Sequence, residues 1–132
     1  MTQANSRSRR RAERHYTRAV SYRDDANLLL IQYHKSDSAG ALMYEAAKQC
    51  INAVANLNGL NPGSTGAKRR YLESVAARPS NSLLNLEKGW QAVSLLHIHA
   101  DRGHLNSSEF RAAWLLAQDF VDDMLVIYAG GG

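Results

Sequence analysis

The stretch Ser38-Ala39-Gly40-Ala41-Leu42-Met43-Tyr44-Glu45-Ala46-Ala47-Lys48-Gln49-Cys50-Ile51-Asn52-Ala53-Val54-Ala55-Asn56-Leu57 decides the fold class. Leu42, Met43, Ala46, Ala47, Cys50, Ile51, Ala53, Val54 and Leu57 recur at helical steps and cover much of the circumference. A helix apolar on so many sides belongs at the centre of a bundle. Its alanines allow neighbouring helices to come close. Asn58-Gly59-Leu60-Asn61-Pro62-Gly63-Ser64 stops it, with Gly59 placed as a C-terminal cap.

Upstream, a first helix is expected from about Arg9 to His34, on the steps of Ala12, Tyr16, Ala19, Val20, Ala26, Leu30 and Tyr33. Ser36-Asp37-Ser38 offers caps for the central helix. Downstream, a third helix is expected over about 64–77 and a fourth over about 83–101, with Leu84, Trp90, Val93, Leu96 and Ile98 apolar and Gly103 as terminator. A fifth opens at Asn106-Ser107-Ser108-Glu109, with serine as cap, and carries Phe110, Ala113, Trp114, Ala117, Phe120, Val121, Met124 and Tyr128. Trp90 and Trp114 are expected as anchors between these last two helices. No segment alternates as a strand does. The expected fold is therefore all-α, an antiparallel bundle of about five helices. Its organisation is a basic, partly disordered arm at 1–11, one helical domain at 12–129 and a flexible glycine tail at 130–132.

The chain has 132 residues and a formal charge of +4, unevenly placed. Residues 1–23 hold seven arginines against one acid, Glu13; the remainder holds nine cations against eleven acids. A basic arm on a mildly acidic body suits a polyanion, an acidic protein surface, or a second copy. The single cysteine, Cys50, excludes an internal disulfide and reads as a small buried thiol. The longest aliphatic run, Leu28 to Ile31, is far short of a membrane span. The arginines of the N-terminal stretch are followed by no apolar segment of the kind a secretory signal needs, so a cytoplasmic protein without membrane association is expected.

Two features carry candidate chemistry. In His97-Ile98-His99-Ala100-Asp101-Arg102-Gly103-His104, a continuing helix sets His97, Asp101 and His104 on one face. A neutral imidazole there acts as a general base, Asp101 orients it, and Arg102 neutralises phosphate charge. That suffices for RNA cleavage through the 2′-hydroxyl without a metal. His97, Asp101 and His104 would also serve as metal ligands, but no fourth ligand is evident and Gly103 ends the helix before His104 in the competing reading; no metal or cofactor is expected. In that competing reading the segment is a polar helix end, with His99 partly buried. The second feature is basic: Arg9, Arg10, Arg11 and Arg14 in the arm, and Lys68-Arg69-Arg70 at the start of the third helix, are candidate phosphate contacts. Tyr16, Tyr22, Tyr33 and Tyr44 would stack on bases if exposed. Glycine-rich phosphate loops, nucleophile elbows and paired-cysteine zinc motifs are absent from the sequence.

The order of elements resembles HEPN (higher eukaryotes and prokaryotes nucleotide-binding) domains. The resemblance rests on a long first helix, the alanine-rich Tyr44-Glu45-Ala46-Ala47-Lys48 with Ala53 and Gly59, the short helix from Thr65-Gly66-Ala67-Lys68, the segment Leu96-His97-Ile98-His99-Ala100-Asp101, and a last helix opening Ser107-Ser108-Glu109. It implies a helical bundle, frequent homodimerisation, and a role near RNA or nucleotides, often in toxin–antitoxin or defence settings. Many such domains are metal-independent ribonucleases whose arginine precedes a histidine by several residues. Here only Gly103 separates Arg102 from His104, and His97 and His99 lie upstream. The expected function is thus binding of RNA or nucleotide without a competent active site. The alternatives are a metal-independent ribonuclease using His97, Asp101, Arg102 and His104 as a variant site, and a protein-interaction adaptor with a partner protein.

Overall fold

In the computed structural model, which describes residues 5–132, the central helix runs Ser36–Leu57 and is designated α2. Around it stand α1 (Ser6–Ile31), α3 (Thr65–Ala76), α4 (Leu86–Arg102) and α5 (Ser107–Ala129), with one 3₁₀ turn at Pro79–Asn81. No strand occurs among the described residues. The helix α2 touches all four of the others, as its apolar circumference requires.

The α1–α2 seam is built from alanine. Ala12, Ala19 and Ala26 in α1 and Ala39, Ala46 and Ala53 in α2 are all fully buried. Both sets step by seven residues, the period that keeps one seam facing a partner along two wound helices. In an antiparallel pair they meet as Ala12 with Ala53, Ala19 with Ala46, and Ala26 with Ala39. Two hydrogen bonds hold this register: Arg11 Nε donates to Asn56 Oδ1 (3.0 Å), and His15 Nδ1 pairs with Gln49 Oε1 (2.5 Å). Side chains this small let the two backbones approach closely.

The helix α1 starts at Ser6, three residues before its expected start. Asn5 Oδ1 accepts the Ser8 N–H (2.8 Å), which satisfies one orphan donor of the first turn. Ser8 is buried, and residues 6–11, expected in a partly disordered arm, form ordered helical turns. The rest of the expected arm, residues 1–4, lies outside the described residues. At the other end α1 stops at Ile31 and not at His34. His34 adopts a left-handed φ of 54°, and the Lys35 N–H bonds back to the Leu29 carbonyl (3.0 Å).

Other boundaries also moved for physical reasons. No side chain caps α2, because the cap position falls on Lys35, which has no acceptor to offer; Asp37, expected among the caps, lies in the first turn and faces His99 (3.2 Å). The helix α4 begins at Leu86, leaving Leu83, expected inside it, 95% exposed. The cap of α5 is Asn106 and not a serine: its side chain accepts the Glu109 N–H while Glu109 accepts the Asn106 N–H, a complete capping box. Ile98, one of the apolar positions of α4, is exposed.

Between α4 and α5 lie Trp90 and Phe120, with ring centroids 6.2 Å apart, and Phe110 stacks on Trp114. Both tryptophans are buried, as expected of anchors. Gly89 lets these helices cross closely. The glycine tail folds back: the Gly132 carbonyl accepts from Arg78 Nη1 (2.9 Å), and the Gly132 N–H bonds to Ile127 O (3.0 Å). No helix among the described residues is long and apolar enough to cross a membrane.

Candidate nucleic-acid interface

The outer surface of α1 is where the basic residues concentrate. Arg7, Arg10, Arg14 and Arg18 follow three- and four-residue steps and share a flank turned away from the alanine seam. Arg10, Arg14 and Arg18, with Glu13 and Thr17, line a shallow open depression of about 420 Å³. Among the described residues, Arg7, Arg9, Arg10, Arg14 and Arg18 take part in no salt bridge, and no acid occupies the first turn of α1. Arg11 is different. Its guanidinium is half-buried and bonded to Asn56 and Ser8 (3.1 Å), so it clamps α1 to α2. Arg23 is engaged by Asp24 and Asp122.

The second basic group opens α3, which Ser64 caps through the Ala67 N–H (3.0 Å). Lys68 Nζ reaches the Gly63 carbonyl (3.4 Å). Partial burial, and then the neighbouring Lys48, hold the Lys68 ammonium below its ordinary value, with Glu45 acting against them. Arg69 pairs loosely with Glu73 (3.8 Å), and Arg70 is exposed beside Gly66. This group packs with α2 and α4, apart from the α1 flank.

The histidine segment is split by Gly103. With φ at 59°, Gly103 closes α4 by bonding its N–H to His99 O (2.7 Å). His97, Asp101 and Arg102 line one cleft of about 480 Å³ with Ala41, Ile98 and Ala100. His104 lies beyond the helix, its ring 5.9 Å from that of His99. The single face of His97, Asp101 and His104 does not form. Among the described residues no hydrogen bond orients His97; its ring stacks on Tyr44 (4.1 Å), which in turn stacks on Trp90 (5.9 Å). Lys48 lies over the Tyr44 ring. No three metal-ligating side chains converge among the described residues.

His99 is the buried member of the segment and works as a clamp. Its Nδ1 accepts the Leu105 N–H (3.0 Å) and its Nε2 faces Asp37 Oδ1 (3.2 Å). Those partners place the proton on Nε2. His99 thereby ties the start of α2 to the end of α4, with its own ring buried and the Asp37 carboxylate open to solvent. Sequence reading anticipated its burial but not its partners, one of them 62 positions away in sequence. The Arg11–Asn56 clamp escaped sequence reading for the same reason.

Of the tyrosines considered for base stacking, Tyr44 is buried and Tyr16 is stacked on Tyr128 (4.5 Å). Tyr22 packs on the core, and Tyr33 alone of the four is exposed. Cys50 is buried, and burial pushes its thiol up to about 12. It stays protonated at pH 8 and should react with a disulfide reagent only as fast as the protein opens. Labelling at the rate of a free thiol would contradict this placement. The sign of the linkage is also defined: the thiol releases its proton more readily in the unfolded chain. Its contribution is intact below about pH 9 and is lost as pH rises from there towards 12. Tyr128, raised mainly by burial, acts in the same direction.

Comparison with protein-family models, curated proteins and solved structures finds no match for this chain.

Proposed function

We propose that the chain is a HEPN-like helical module that binds RNA or a nucleotide polyphosphate through the arginine flank of α1, without a competent active site. The observation that carries this reading is the set of five arginines, Arg7, Arg9, Arg10, Arg14 and Arg18, that form no salt bridge among the described residues and lie in the N-terminal half of one helix. Like charges on neighbouring turns repel, and cations at a helix N-terminus oppose its dipole. A polyanion laid along the flank relieves both costs and releases counterions. Contacts of this kind grip phosphates and carry no sequence information.

A metal-independent ribonuclease is the second reading, favoured by the cleft that gathers His97, Asp101 and Arg102. One experiment separates the two. The protein is incubated with a mixed labelled RNA pool in EDTA, beside Arg102→Ala and the triple variant Arg10→Gln, Arg14→Gln, Arg18→Gln. The binding reading expects intact RNA that shifts at low salt and is released at high salt, with the shift lost in the triple variant. Cleavage by the wild type that Arg102→Ala abolishes would establish the ribonuclease. RNA neither shifted nor cut would overturn both.

A further inference from the structure

We propose that the corner where the turn before α4 meets the outer side of α5 docks a basic amphipathic helix of a partner protein. Leu83 stands 95% exposed in that turn. On α5, Leu115 and Leu116 are 52% and 38% exposed. A notch of about 160 Å³ opens between Leu83 and Leu116, and Asp119 and Asp123 also line it. One exposed leucine on a surface is ordinary, but three gathered about a notch make an apolar patch of the kind that partners cover. Leu83 gains the transfer free energy of its side chain only when something lies over it.

The charges select the occupant. Leu115 and Leu116 lie one turn before Asp119, and Asp123 one turn after it, so apolar and acidic groups share one side of α5. Among the described residues Asp119 and Asp123 take part in no salt bridge, whereas Asp122 is held by Arg23. Lys88 in α4 and Arg111 in α5 form no ion pair with either. Partial burial, and then Asp119 and Asp122, raise the Asp123 carboxyl above its ordinary value. A lysine or arginine brought alongside relieves that repulsion, while a leucine of the same segment fills the notch against Leu83. A helix with an apolar stripe and cationic flanks meets both demands. The chain carries a net charge of +4, so its overall field does not draw in a cationic segment; the acids of this corner do. The Arg10–Arg14–Arg18 depression belongs to α1 and shares no residue with the notch, so this docking surface stands or falls apart from the RNA reading.

Fluorescence anisotropy of a labelled synthetic peptide tests this. The peptide is a helix of about 18 residues with leucines at three- and four-residue steps and lysines on both flanks. The wild type is expected to bind it, less tightly as salt is added. Leu83→Ala should raise the Kd roughly tenfold through lost apolar burial. The double variant Asp119→Asn, Asp123→Asn should raise it roughly tenfold through two lost ion pairs. That double variant should also melt no lower than the wild type, because it removes repulsion within α5; acids that served only the fold would not show loss of binding beside retained stability. The Arg10→Gln, Arg14→Gln, Arg18→Gln variant should bind the peptide as the wild type does. No binding, equal affinity for a peptide with glutamates in place of the lysines, or affinity indifferent to both the Leu83 and the aspartate substitutions would overturn the inference. So would a dimer in sedimentation that Leu83→Ala dissolves, since the occupant of the corner would then be a second copy.

Discussion

Gly89→Ala is expected to destabilise the protein by about 2 kcal/mol, the net of overpacking near the top of its usual range, about 3 kcal/mol, and a helix-propensity gain of about 1 kcal/mol. Gly89 has ordinary helical dihedrals, so the reason is space and not backbone freedom. An added Cβ would lie 2.5 Å from Phe120 Cβ and 2.9 Å from Phe120 Cδ1. The first of these atoms is fixed to the backbone, and no rotamer of Phe120 removes it. Relief requires α5 to move away from α4, which opens the contact of Phe120 with Trp90. For a chain of this size the melting temperature should fall by roughly 10 °C. Phe120→Ala should not rescue it: the clashing Cβ stays, and the lost ring adds a cavity cost. A Gly89→Ala protein as stable as the wild type would show that α4 and α5 do not cross at this distance.

Ala46→Leu is expected to cost about 3 kcal/mol by forcing apart the middle layer of the alanine seam. Ala46 is fully buried and stands opposite Ala19. Three extra carbons have nowhere to go unless α1 lifts off, and α1 is attached to the bundle mainly through α2. The loss should therefore appear first in α1. Urea denaturation should show the lower stability, and hydrogen exchange should show faster exchange of α1 amides than of α4 amides. Ala129→Leu, at an exposed position in the last turn of α5, serves as the control and should change stability by no more than about 0.5 kcal/mol. Equal effects at the two positions would contradict the seam.

The centre of this fold is legible in the chain because α2 is apolar on nearly every side, a pattern only a surrounded helix sustains. Gly59 and Gly103 mark helix ends correctly, and both adopt the positive φ that such an end demands. The seam was less visible. Alanine contributes little to an apolar stripe, so the seven-residue steps of Ala12, Ala19, Ala26 and Ala39, Ala46, Ala53 are hidden behind larger neighbours. Leu83 misled because hydrophobicity alone does not reveal that a residue sits in a turn after Pro79.

The site was partly legible. The arginine cluster stands out as composition, but which arginines are free depends on partners remote in sequence. Arg11 is taken by Asn56, and Arg23 by Asp122. In the histidine segment the outcome turned on Gly103, whose left-handed φ removes His104 from the helical face. The stacking of His97 on Tyr44 joins two helices and leaves no trace in local pattern.

The most direct test of the central claim is the salt dependence of affinity for a short single-stranded RNA, measured for the wild type and for the Arg10→Gln, Arg14→Gln, Arg18→Gln variant. If three guanidinium groups of α1 neutralise phosphates, the wild-type log–log slope should be steeper than the variant's by about 2, at roughly 0.7 per phosphate contact. Equal slopes, or wild-type affinity that salt leaves unchanged, would contradict the claim that this flank grips a phosphate backbone.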